Sequence, residues 1–169
     1  MKKLHLFHLA FFAAGLLLFA GCMKKQSYPE IPQISFLGFE TYYDTAKVLR
    51  TGILAISYQD GNGDIGLSPG DTFSPYQRGG PYYYNYVIDY FEKRNGVFTK
   101  VDLVIPFSRR IPVLTPFDPG RAIKGFIYDT IGLYPPPPYD TIMFEAFIYD
   151  RALNKSNVIT TPEIIIRRP

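Results

Sequence analysis

Residues 141–150, TIMFEAFIYD, carry apolar side chains at every second position, Ile142, Phe144, Ala146 and Ile148, with Glu145 opposite. A period of two sends those four to one face of an extended strand, and a face so apolar has to be covered. Comparable segments recur along the chain. ISFLGFE (34–40) opens the series, and KVLRTGILAISYQ (47–59) sets Leu54, Ile56 and Tyr58 on one face. YYNYVIDYFEK (83–93) and VFTKVDLVIPF (97–107) flank RNG, so Asn95-Gly96 predicts a tight hairpin turn. In the second arm Val101, Leu103 and Ile105 are expected to point one way while Lys100 and Asp102 point the other. AIKGFIYDT (122–130) turns Ile123 and Ile127 inward, and NVITTPEIII (157–166) closes the chain. No stretch keeps a helical period for three turns, and Gly and Pro clusters punctuate the segments. Seven such strands, mostly antiparallel, predict an all-β protein, with a β-sandwich preferred to a small closed barrel.

The start of the chain is built differently. MKKLHLFHLAFFAAGLLLFAGC places Lys2 and Lys3 ahead of an apolar run from Leu4 to Ala20, then Gly21 and Cys22. Charged, apolar and small residues in that order are the pattern of a secretory signal peptide. The run is short for a spanning helix, which needs about 20 apolar residues, and it is followed by Lys24 and Lys25. Its last residues, Leu18, Phe19, Ala20, Gly21 and Cys22, resemble the lipobox of bacterial lipoproteins. The resemblance implies a diacylglyceryl thioether on Cys22, cleavage before it and acylation of the new amino terminus. Several acyl chains at about 0.8 kcal/mol per buried CH₂ make a stable anchor. The expected organisation is a leader over 1–21, the acylated cysteine and a tether over 22–33, and one folded domain over 34–169. Residues 23–33, MKKQSYPEIPQ, are polar with Pro29 and Pro32, and fully extended would reach about 35 Å.

Cleavage changes what chemistry the chain can carry. Removing 21 residues from 169 leaves 148, the size of one domain. Loss of Lys2 and Lys3 from the 18 basic side chains leaves 16 against 15 acidic ones, so no nucleic-acid partner is implied. His5 and His8, the two histidines, leave with the leader, and the single cysteine is the acylated one. A mature chain without histidine or thiol has no Ser-His-Asp triad, histidine base, His-ligated zinc or cysteine nucleophile. No Gly-x-Ser-x-Gly elbow, Ser-x-x-Lys or phosphate-binding glycine loop occurs either. A carboxylate pair for glycoside hydrolysis stays available among five glutamates and ten aspartates, without any pattern that singles one out.

YQDGNGDIGLSPGD (58–71) is the leading site candidate. Asp60, Asn62 and Asp64 alternate with Gly61 and Gly63, a spacing that lets three oxygen-bearing side chains converge as calcium requires. Counting from Asp60, the twelfth residue is Asp71, where an EF-hand places its last ligand. The sixth position, glycine in an EF-hand, is Ile65, with Gly66 one later and no helical pattern on either side. Two readings stand: an EF-like calcium loop in a β protein, with calcium as the cofactor, or a tight turn at Asn62-Gly63 kept soluble by its aspartates.

Three further features bear on function. Tyr-Asp-Thr precedes an apolar residue at 43–46, 128–131 and 139–142. Asp-Thr followed by a methyl-bearing residue resembles the O-glycosylation acceptor motif of some Gram-negative bacteria, which would place glycans on Thr45, Thr130 and Thr141. The local alternative is that Asp ends a turn and Thr begins a strand. RGGPYYYNY (78–86) clusters Tyr82, Tyr83 and Tyr84, side chains able to stack on sugars or anchor an interface. Strand alternation would send Tyr82, Tyr84 and Tyr86 to one face and Tyr83 to the other. PFSRRIPVLTPFDPGRAIKG (106–125) is a Pro-punctuated loop with Arg109, Arg110 and Arg121, open to a partner, an anion or solvent. PPPP (135–138) is a stiff connector.

The end of the chain, FIYDRALNKSNVITTPEIII (147–166), resembles the last hairpin of bacterial immunoglobulin-like domains, where a strand ends in Asp before an Ala-Gly-Asn-x-Ser turn. Asp150, Ala152, Asn154 and Ser156 fit, while Leu153 stands at the usual glycine. With DGNGDIGL and the lipobox, the chain resembles uncharacterised Gram-negative lipoproteins that carry one such domain. The resemblance implies an immunoglobulin-like sandwich at the envelope and no particular activity. The expectation is a non-enzymatic binding or accessory module held to the membrane by its lipid and working with an envelope protein. The alternatives are a glycan-binding lipoprotein using Tyr82, Tyr83 and Tyr84, and a carboxylate-based glycan hydrolase. Met23 follows the cysteine in place of the Asp that retains some lipoproteins in the inner membrane, and no acidic run for surface display follows. An outer-membrane, periplasm-facing location is therefore expected.

Overall fold

The computed structural model describes residues 28–114 and 120–167. The expected leader and Cys22, the expected acylation site, lie outside the described residues. Strands β1 (Gln33–Tyr43), β2 (Leu49–Asp60) and β5 (Ile123–Gly132) form one antiparallel sheet in the order β1-β2-β5. Strands β3 (Tyr86–Arg94), β4 (Val97–Lys100), β6 (Thr141–Ile148), β7 (Ile159–Thr160) and β8 (Ile164–Ile165) form the other. Its order is β4-β3-β6-β7, with β8 also paired to β6. The chain is an antiparallel β-sandwich.

The alternation of TIMFEAFIYD is realised in β6, where Ile142, Phe144, Ala146 and Ile148 are all fully buried. Across the gap β2 contributes Leu54 and Ile56, also fully buried, and β5 contributes Ile131. Phe144 joins the layers: its ring lies 5.3 Å from Phe39 of β1, 5.6 Å from Tyr90 of β3 and 5.8 Å from Phe107. Burying one such ring completely contributes about 1.5–3 kcal/mol. The Asn95-Gly96 turn has φ of 51° and 82°, the left-handed pair of a type I′ hairpin.

Three local expectations fail for identifiable reasons. First, Ile105 is 81% exposed although Val101 and Leu103 pack on the core. The strand ends at Lys100, and the chain bends outward before Phe107 returns to the aromatic cluster and Arg109 pairs with the Tyr86 main chain. Second, the closing segment is not one strand. Pro162 cannot donate to a ladder, so pairing with β6 stops after Thr160 and resumes at Ile164. Thr161 bridges the break, giving its N–H to the Phe144 carbonyl and accepting the Phe144 N–H on Oγ1. Third, β3 begins only at Tyr86, so strand alternation does not govern Tyr82, Tyr83 and Tyr84.

The segment expected as tether is partly built in. The Gly61 N–H donates to the Pro29 carbonyl at 2.7 Å, Pro32 is fully buried and β1 starts at Gln33.

Candidate functional site

The DGNGDIG loop leaves the end of β2 and is held from three sides. Asp60, the last residue of β2, is fully buried, and its Oδ2 accepts the Asp64 N–H at 2.9 Å. Asn62 Oδ1 reaches the same N–H at 3.4 Å. At Gly63, φ is +68°, and an added Cβ would stand 2.0 Å from the Arg121 carbonyl oxygen. At Gly66, φ is +124° and the corresponding distance to the Pro112 carbonyl is 2.3 Å. Both positions require glycine for conformation and for space. Between them Ile65, at the position an EF-hand fills with glycine, is fully buried in the core. This is a packed junction with Arg121, Pro112 and the 150–154 turn as walls.

That turn follows β6. Asp150 is almost completely buried, its Oδ1 accepting the Asn154 N–H at 2.7 Å and its Oδ2 the Asn154 side-chain amide at 2.8 Å. Leu153, the residue in the usual glycine position, has φ of +68°, so the left-handed geometry is kept without the glycine. The Arg151 N–H donates to the Asp64 carbonyl at 3.1 Å, and the Ala152 N–H reaches the Asp64 carboxylate. The DGNGDIG loop and the last turn of the sandwich are therefore one unit.

Asp71 is not part of that unit's carboxylate group. Both its oxygens are taken by Arg151, at 2.7 Å each, and Oδ2 also accepts from Ser68 N at 2.6 Å and Ser68 Oγ at 2.9 Å. The Arg151 guanidinium, followed by the serine bonds, holds its carboxyl well below the ordinary range. Asp60 moves the opposite way: burial first, then the charges of Asp64 and Asp150, push it up to about 6. Asp64 is raised by burial and by Asp150. Asp60 Oδ1 and Asp64 Oδ1 are both buried with no hydrogen-bond partner. Among the described residues no group of three or more His, Cys, Asp or Glu side chains is placed to hold a metal ion.

The tyrosines Tyr82, Tyr83 and Tyr84 are half-buried and engaged with neighbours. Tyr82 meets Tyr149 edge-on at 5.0 Å, Tyr83 meets Tyr84 at 4.8 Å, and the Arg110 guanidinium sits 5.0 Å from the Tyr83 ring. Arg110 donates to the carbonyls of Tyr83 at 2.8 Å, Asp71 at 3.0 Å and Tyr76 at 3.3 Å, organising the whole 68–84 segment. Arg109 pairs with Asp129 at 3.3 Å.

The Tyr-Asp-Thr repeats have three different settings. Asp44 closes the β1–β2 turn, accepting from the N–H groups of Ala46 and Val48 at 2.9 Å each, and Thr45 is exposed. In β5, Tyr128 and Thr130 face outward while Asp129 points between the sheets to Arg109. Thr141 is half-buried at the start of β6.

A surface without a distinctive sequence motif lies on the outer face of β1-β2-β5. Leu37, Tyr42, Phe126 and Tyr128 are 46–68% exposed there. Cross-strand register places Tyr128 beside Ala55 and Gly38, and Phe126 beside Ser57 and Ser35. Next to Phe126 runs a groove of about 610 Å³ whose walls include Gln33, Ser57, Gln59, Lys124 and Asn157. The signal for this face was in FIYDT, where the residues opposite inward Ile127 are aromatic rather than charged. No protein-family model, curated protein or solved structure matches this chain.

Proposed function

We propose that this chain is an acylated envelope lipoprotein whose β-sandwich is a non-enzymatic binding module for another envelope component. The anchor reading rests on the Leu18–Cys22 lipobox and on the leader before it. The observation that carries the binding reading is the uncovered face of β1-β2-β5. An aromatic sheet face left to water costs hydrophobic free energy, and contiguous patches of this kind mark interaction sites. On this reading the membrane attachment is Cys22, the leaflet is that of the outer membrane facing the periplasm, and the working surface is Phe126, Tyr128 and Tyr42. Co-purification from membranes in gentle detergent tests it. Wild type should retain a partner that Phe126→Ser/Tyr128→Ser loses, whereas an unchanged set of co-purifying proteins would refute the assignment of this face.

A second reading, glycan binding, is favoured by the groove beside Phe126. Amides from Gln33, Gln59 and Asn157, the Ser57 hydroxyl and the Lys124 ammonium next to an aromatic ring are a donor and acceptor set suited to sugar hydroxyls. It moves the glycan surface from Tyr82–Tyr84, whose rings are engaged in packing, to the three-stranded sheet. Pull-down with envelope polysaccharide, abolished by Phe126→Ser, separates it from the protein-partner reading.

A further inference from the structure

Among the described residues, two of the buried carboxylate oxygens without a hydrogen-bond partner are at the DGNGDIG junction. Asp60 is fully buried, and one of its carboxylate oxygens, Oδ1, has no hydrogen-bond partner. Asp64, whose N–H bonds the other oxygen of Asp60, has a buried Oδ1 in the same condition. Asp150 adds a third negative charge within range of both, and its own oxygens are committed to Asn154. Arg151 is a positive group acting on Asp64, and its guanidinium already holds both oxygens of Asp71. A buried carboxylate oxygen left without a partner is costly, and a second one beside it makes the cost larger.

We propose that Asp60 Oδ1 and Asp64 Oδ1 are two ligands of a calcium ion at the end of β2, beside the 150–154 turn, with Asp150 adding charge behind them. The chemistry of the donors selects the ion. Carboxylate oxygens without nitrogen or sulfur suit a hard cation. Calcium accepts irregular coordination completed by backbone carbonyls and water, whereas magnesium demands a near-ideal octahedron. Because only two carboxylates are offered, affinity belongs in the weak range of extracellular calcium modules, about 10⁻⁴–10⁻³ M. Asp71, the twelfth-position candidate, is excluded from the site and serves as the partner of Arg151.

The test is thermal unfolding of the full-length protein in detergent, stripped with chelator and then titrated with calcium. At 10 mM calcium an ion bound only by the folded state should raise Tm by about 4–8 °C. Magnesium at the same concentration should give a markedly smaller shift. Asp64→Asn should abolish the calcium shift, and Asp71→Asn should lower Tm while leaving the shift intact. Should Asp64→Asn fail to fold, amide spectra of the wild type decide the matter. Calcium should perturb residues 60–65 and 150–154 first. No calcium shift, an equal magnesium shift, retention of the shift in Asp64→Asn, or perturbations centred elsewhere would each overturn the proposal.

Discussion

Substituting Gly63 by alanine tests whether the DGNGDIG loop is a packed junction or a free turn. The residue has φ of +68°, and its new Cβ would lie 2.0 Å from the Arg121 carbonyl oxygen, where real Cβ contacts essentially never fall below 3.0 Å. Two effects are therefore superposed. A left-handed alanine costs about 1–2 kcal/mol wherever it occurs. Parting two packed backbone segments by about 1 Å adds the cost of overpacking, about 1–3 kcal/mol. Gly79 isolates the first effect, since its φ is +80° and a methyl group added there would meet nothing within 4 Å. Gly63→Ala should lose ~1–3 kcal/mol more than Gly79→Ala, a further fall in Tm of about 3–10 °C for a domain of this size. Circular dichroism melts of both variants, with urea unfolding to check that the m-value is unchanged, give the comparison. Equal stability of the two would mean that residues 60–66 are not pressed against Arg121, and the junction would have to be redrawn.

Four other outcomes are expected. Phe144→Ala removes the ring that joins the sheets and should cost about 3–5 kcal/mol, read by urea unfolding, with Phe144→Leu much milder. The Asp71 carboxyl is held below its ordinary value of 3.8, so its stabilising contribution is present above that pH and is lost as pH falls through the folded-state value. The stability gap between wild type and Asp71→Asn should therefore be about 1 kcal/mol near neutrality and shrink below pH 4, since Arg151 is substantially exposed. Arg110→Met should release the 68–84 segment and make it the first site of limited proteolysis, because four main-chain carbonyls lose their donor. Tyr128→Ser, by contrast, should change stability by no more than about 0.5 kcal/mol while weakening partner recovery.

Sequence legibility followed the range of the interactions. The strands of β2 and β6 were readable because alternation is local, and the Asn95-Gly96 hairpin because left-handed turns have their own residue chemistry. Ile105 misled because nothing local marks the bend that lets Phe107 reach the aromatic cluster. Asp71 looked like a ligand because twelve-residue spacing is visible, whereas its true partner, Arg151, is 80 residues away. Asp150 was missed as a neighbour of the DGNGDIG loop for the same reason. The Tyr-Asp-Thr repeats read alike in sequence, yet Asp129 faces the interior and Asp44 closes a turn. Asp44 answers to its own turn and Asp129 to Arg109, twenty residues away.

The bond between Gly61 and Pro29 also bears on how a lipid-anchored form would stand. Tyr28 and Pro29 lie against the DGNGDIG loop, so a lipid on Cys22 would be only six chain steps from Tyr28, the first described residue. Covalent geometry limits that leash to about 20 Å, where a tether running to Gln33 would have allowed about 35 Å. Anchored through Cys22, the domain would stand on its DGNGDIG pole, with the long axis of β2 rising from the bilayer. Any partner of the β1-β2-β5 face would then be met within the span of about 20 Å that a lipid on Cys22 allows.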